Sequence, residues 1–270
     1  MESSKLKNII LLILVITNLL LGLLMVVQGV TSRQRQTQTL LDAVELLQDR
    51  GISVDVGILP QDDFPPPMSL ERDAAWEREM FSALLGDGVT ATQRGLVSYY
   101  ESSLGRAEAR EDGSFSATFP TESIPVGSGD MRTHAVSVLA RMGLEVRITA
   151  ESETALEAVQ LWNGSPVFSC VINLRYENGS LVQISGSRLM GIPAAEPSQE
   201  VPLSVATLLL RFRAGIIDSG DACSAIRSAT RGYVLSSAPA GKSRLVPVLC
   251  LETDTSLYFV DALSGSLSRG

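Results

Sequence analysis

From Ile9 to Val30 the chain carries no charged side chain and is dominated by Leu, Ile and Val. At 1.5 Å per residue, about 20 such residues cross the hydrocarbon core of a bilayer, so this stretch is expected to form a transmembrane helix. A secretory signal has a shorter apolar core followed by a small-residue cleavage site. Val27-Gln28-Gly29 resembles such a site only weakly, and no Cys follows to carry a lipoprotein anchor. An uncleaved anchor is therefore expected. Lys5 and Lys7 precede the span and Arg33 and Arg35 follow it, so the positive-inside rule does not orient the chain. Within the span, Asn18 falls near the midplane, with Gly22, Met25 and Gly29 on its face at i+4, i+7 and i+11. An amide without a partner there is costly, and small residues let a second helix approach, so these four residues are the candidate partner contacts in the membrane. The bland alternative is an Asn tolerated in a strongly apolar helix.

The remaining chain can supply a real core: 45% of the 270 residues are hydrophobic. A net charge of -8 and a single His argue against a nucleic-acid partner, because phosphate-backbone binders gather Lys and Arg on one face. Cys170, Cys223 and Cys250 include no C-x-x-C pair, and His134 stands alone, which fits neither a zinc site nor a disulfide scaffold. Cys170 and Cys250 sit in apolar strand-like runs as small buried residues or, alternatively, as a disulfide pair.

The periodicity predicts a helix over 37–50 with Leu40, Leu41, Val44 and Leu47 on one face, then an alternating strand over 52–58 ended by Pro60. Asp62 to Met68, with three consecutive prolines, reads as an extended connector. Ser69 is expected to cap a helix whose core face is Trp76, Met80, Phe81 and Leu84, and Gly86 to end it.

Beyond residue 95 one pattern occurs twice, a hairpin followed by a helix. The first hairpin pairs 96–109 with 114–119 around Asp112-Gly113, and the second pairs 167–176 with 181–187 around Asn178-Gly179. The helices are expected at Asp130 to Met142, with Val138, Leu139 and Met142 inward, and at Ser204 to Gly215, with Leu208, Leu209 and Phe212 inward. Strands follow each: 144–150 and 155–160 after the first helix, then 232–235, 245–251 and 257–262 after the second. The expected fold class is thus α+β: a single N-terminal transmembrane helix, then two related units of antiparallel sheet with helices packed on one face. The boundaries are 1–8 for the N-terminus, 9–30 for the anchor, 31–95 for a membrane-proximal segment, and 96–162 and 163–270 for the two units.

Asn18-Leu19-Leu20-Leu21-Gly22 in the anchor, Gly232-Tyr233, Val246-Pro247-Val248, and Tyr258-Phe259-Val260-Asp261-Ala262-Leu263-Ser264-Gly265 at the end resemble the YycH/YycI family, specifically its YycI-type two-component regulatory proteins. The terminal portion also resembles the last hairpin of PepSY-type domains. Family members often carry Trp just after the Pro-Val step, where this chain has Leu249-Cys250. The resemblance implies a Gram-positive cell membrane, a cytoplasmic N-terminus and an extracellular C-terminal domain. It also implies a complex with a YycH-like membrane protein and a WalK-type sensor histidine kinase that tunes cell-wall homeostasis. The family is not enzymatic, so the resemblance carries over no catalytic, cofactor or metal residues. A different expectation is an extracellular PepSY-like module that binds a wall peptide or a protease.

Sequence patterns for chemistry are weak. His134 falls in the first turn of a helix with Asp130 as its cap, and Gly127-Ser128-Gly129 lacks the Lys-Ser/Thr of a phosphate-binding loop. Asp62-Asp63 has no spaced ligand loop around it. Asn163-Gly164-Ser165 and Asn178-Gly179-Ser180 read as turns.

Overall fold

A helix and four antiparallel strands recur along this chain, and the elements differ mainly in what completes each set. The structure is a computed structural model describing residues 37–61, 63–127, 129–196, 200–237 and 243–270, with Leu14, Thr17, Asn18 and Leu20. Among the described residues helix α1 covers 37–48 and buries Ala43, Val44 and Leu47, whereas Leu41 is exposed. Strand β1 (Ser53–Val54) is short. The strict alternation predicted a strand to residue 58, but the Asp55 side chain accepts from the Gly57 amide and turns Val56–Ile58 into a 3₁₀ helix. Strand β2 (Met68–Leu70) follows the proline run. Ser69, expected as a helix cap, lies in that strand; Asp73 caps α2 (Ala74–Leu85) instead, accepting from Ala75 and Trp76 amides at 2.9 and 3.0 Å.

After α2 come β3 (Thr90–Arg94), β4 (Val97–Ser102), β5 (Gly105–Arg110) and β6 (Ser114–Thr118), an antiparallel meander. The strand expected over 96–109 is therefore two strands, broken at Ser103-Leu104. Asp130 caps α3 (Met131–Arg141), as its place before an apolar run predicts, and Val138, Leu139 and Met142 are buried. A second meander follows: β7 (Val146–Glu151), β8 (Ala155–Trp162), β9 (Ser165–Glu177) and β10 (Ser180–Ser187). Asn178 and Gly179 turn it at φ 51° and 73°, both in the left-handed region a two-residue hairpin needs. After β11 (Ala194–Ala195), Ser204 caps α4 (Val205–Ser219). Gly215, expected to stop this helix, lies inside it. A Cβ there would stand 2.6 Å from the Leu267 side chain, so this glycine admits a close approach, and Gly220 in the left-handed region ends the helix. The third meander is β12 (Ala225–Ser237), β13 (Ser243–Thr253), β14 (Leu257–Asp261) and β15 (Leu267–Arg269).

The recurring unit is thus helix first and four strands after, seen three times among the described residues. The hairpin-then-helix phase and the division at residue 163 arise because the turn signals of hairpins are sharper than those of helix starts. The hairpin β9–β10, expected to open a second sheet, completes the first one. Strand β6 pairs antiparallel with β10, the last strand of one unit against the last of the next, which relates the two by a local twofold. Helices α2 and α3 cover one face of this eight-stranded sheet around Phe81, Leu139, Ile172 and Ile184. The second sheet consists of the third meander with β1, β2 and β11, and α1 and α4 contribute to its core with Leu47, Phe212, Leu249 and Tyr258. The sheets meet at Tyr233 opposite Val167, a parallel contact, and β1 also pairs parallel with β12. The fold is α+β with a mixed sheet, where antiparallel pairing alone was expected.

Residues 74–187 form the first sheet and its helices, inserted between β2 and β11, which are antiparallel neighbours in the second. The chain crosses between sheets at 71–73 and again at 188–193.

Candidate functional site

The stripe at i, i+3, i+4 and i+7 on α2 is Glu77, Met80, Phe81 and Leu84, which sets a carboxylate on the buried face of a helix. Glu77 and Arg188 are both fully buried. Arg188 Nη2 donates to Glu77 Oε2 at 2.7 Å. Oε1 accepts from Arg72 Nη2 at 3.0 Å and from the Tyr100 hydroxyl at 2.9 Å. Arg72 also donates to Ser98 at 3.1 Å and to the half-exposed Glu111 at 3.0 Å, and Arg188 donates to the Leu189 carbonyl at 2.9 Å. The Arg188 guanidinium lies over the rings of Trp76 and Phe81, 5.7 and 5.5 Å from their centroids.

Each end of this cluster sits on a crossing. Arg72 lies in the segment from β2 to α2, and Arg188 opens the segment from β10 to β11. The two segments bond to one another, Asp73 N–H to the Met190 carbonyl at 2.9 Å, and the second is held to the β5–β6 turn by Arg188 N–H to the Gly113 carbonyl at 3.1 Å. Leu189 N–H donates to buried Gln160 at 2.9 Å. A Cβ on Gly113 would meet the Arg188 carbonyl at 2.5 Å, so a side chain there would push this segment outward. On the apolar side of the junction, Leu70, Cys170, Leu189, Met190 and Tyr233 pack together.

Burial pushes the Glu77 carboxyl up, but the Arg72 bond, the Arg188 charge and bond, and the Tyr100 hydroxyl outweigh it and hold it below the usual range. Tyr100 is pushed up to about 12, by burial first and then by the Glu77 charge. The cluster is thus a desolvated ion pair with a carboxylate that stays charged. Such a group adds little net stability, yet removing one partner strands the other charge. Sequence reasoning missed it. The available signals were Glu77 in the middle of an apolar stripe and Arg188 directly before Leu189-Met190.

Of the predicted membrane contacts, Asn18 is helical and its amide donates back to the Leu14 carbonyl at 2.9 Å; Gly22, Met25 and Gly29 lie outside the described residues. Among the described residues no helix is long and apolar enough to cross a membrane, and the 9–30 stretch lies almost wholly outside them. His134 Nδ1 lies 3.1 Å from the Tyr176 hydroxyl, with Asp130 engaged instead by the Thr133 amide and hydroxyl. Cys170, Cys223 and Cys250 are free thiols, and burial pushes Cys170 and Cys250 up to about 12, so neither carries an activated thiolate. Among the described residues no three His, Cys, Asp or Glu side chains gather to hold a metal ion. An open groove lined by Glu101, Arg106, Thr118 and Phe119 brings no nucleophile and base together.

No family model and no curated protein matches this chain. Among solved structures it is similar to an uncharacterized protein from Eubacterium rectale at 9% identity, with 77% of this chain and 86% of that one covered and a TM-score of 0.48.

Proposed function

We propose that this chain is a membrane-anchored, extracytoplasmic accessory regulator in the manner of the YycI-type proteins it resembles. One transmembrane helix over 9–30 carries the domain on the outer face of a Gram-positive cell membrane, with the N-terminus in the cytoplasm. It acts by contact with a WalK-type sensor histidine kinase and a YycH-like protein, tuning cell-wall homeostasis signalling, and uses no catalysis. The three helix-and-meander units make up its extracellular domain.

The observation that supports this reading most is the place of α1. Its first described residue, Thr37, lies seven residues after Val30, and it buries Val44 and Leu47 in the same cluster as α4 and the terminal strands. A helix so close to the expected span, yet part of the domain core, ties movement of an anchor to movement of the body. By linkage, a regulator of this kind must bind one kinase state better than the other.

The test is a membrane pull-down of the intact protein beside a form lacking residues 1–30, with co-purified proteins identified by mass spectrometry. The expected result is a sensor kinase and a YycH-like protein with the intact form only, and loss of both when Asn18→Leu removes the midplane amide. Neither protein with either form would contradict regulation by helix docking and favour a PepSY-like module binding a wall peptide or a protease.

A further inference from the structure

Among the described residues the eight-stranded sheet has two free edges, and the two are built differently. Strand β7 has a register shift between Ile148 and Ala150, and its Glu151 is paired with Arg132 on α3. Bulges and charges of this kind blunt an edge against further pairing. Strand β3, Thr90-Ala91-Thr92-Gln93-Arg94, has none of these devices. It pairs with β4 without a shift, contains no Pro, carries charge only at its last residue, and is exposed along its whole length.

Gly95, at φ 60°, and Leu96 join β3 to β4 in a two-residue turn closed by Arg94 opposite Val97. In such a hairpin the closing pair is hydrogen-bonded and bonded pairs alternate along the ladder. Thr92 and Thr90 therefore bond inward to Tyr99 and Glu101, while the N–H and C=O groups of Ala91 and Gln93 aim at the open edge.

We propose that β3 is a homodimer edge, where two copies of this chain join their sheets by antiparallel β3–β3 pairing about Thr92. This proposal does not depend on the function proposed above. The outward groups select the register. Ala91 bonds to the partner's Gln93, Gln93 to the partner's Ala91, and Thr92 faces the partner's Thr92 in a non-hydrogen-bonded position. The register is symmetric, as an isologous contact requires. It sets no like charges opposite each other, because Arg94 meets the partner's Thr90. Beyond that threonine, on the same sheet face, lies the partner's Glu101, itself opposite Arg106 in the β4–β5 ladder. The pairing thus brings Arg94 and Glu101 together twice. A direct Thr–Thr pair is favourable across strands.

The test is cross-linking of the full chain under mild oxidation with copper phenanthroline. Facing residues at a non-bonded antiparallel position lie about 4.5 Å apart at Cα, within the range a disulfide spans. Thr92→Cys is expected to give a dimer of this chain that reducing agent reverses, whereas wild type and Thr90→Cys, whose equivalent positions are two residues out of register on each strand, remain monomeric. Ala91→Pro removes one outward N–H without touching the β4 ladder. Added to Thr92→Cys, it is expected to abolish the dimer while the circular dichroism spectrum stays unchanged. No dimer from Thr92→Cys, equal cross-linking by Thr90→Cys, a dimer that survives Ala91→Pro, or a cross-link to a different polypeptide would each overturn the proposal.

Discussion

Residues 74–187 fold as two helix-and-meander units that complete each other: β6 pairs with β10, and α2 and α3 share one core. The third unit, begun by α4, is completed from a distance. Strand β1 joins β12 across more than 170 residues, β2 joins β13, and α1 contributes to the core under α4. The same local pattern therefore supports two kinds of closure. In the inserted part, neighbours in sequence are neighbours in space; in the enclosing part, paired strands lie on either side of the insertion. Non-local pairing of this kind loses loop-closure entropy before its contacts form. The Glu77–Arg188–Arg72 cluster sits where that loss falls, at the two segments joining the parts.

The largest expected effect comes from removing charge at this clasp. Glu77→Leu leaves Arg188 buried without its carboxylate and is expected to cost about 3–5 kcal/mol in denaturant unfolding. Arg188→Met together with Glu77→Leu removes both charges, and the double variant is expected to lose less than either single one, since Arg72 keeps Glu111 and Ser98. Equal or additive losses would show that the cluster acts as separate contacts. A smaller effect separates the crossing from an ordinary helix start: Asp73→Ala and Ser204→Ala each remove an N-cap and are expected to cost about 1 kcal/mol. A markedly larger loss at Asp73 would mean that the cap also holds the clasp.

The pH dependence sharpens the same contrast with the smallest changes. Glu77 is depressed below its unfolded value of 4.5, so its contribution is present above that pH and lost as pH falls through the folded value. Tyr100 is raised from 10.0 to about 12, so its contribution is present below pH 10 and lost as pH rises toward 12. Glu77→Leu is expected to flatten the acid limb of the stability profile, and Tyr100→Phe the alkaline limb. Wild-type slopes in these variants would place the titration elsewhere.

Much of the local structure was legible in the sequence. Asn178-Gly179 marked its hairpin, Asp130 and Ser204 their helices, and the inward faces of α3 and α4 followed from spacing alone. These features depend on a few adjacent residues and their φ preferences. The insertion was not legible, because nothing in β6 or β10 names its partner, and a strand buried at a sheet centre reads the same wherever it docks. The clasp left a faint mark, a carboxylate at the centre of an apolar stripe, but Glu77 and Arg188 stand 111 residues apart and only the fold brings them together.

Native-state hydrogen exchange of Glu77→Leu beside wild type tests most directly whether the clasp makes the two sheets one cooperative body. If it does, amides of β4–β6 and of β12–β13 lose protection by the same free energy. Loss confined to β4–β6, with β12–β13 as protected as in wild type, would contradict a single cooperative body.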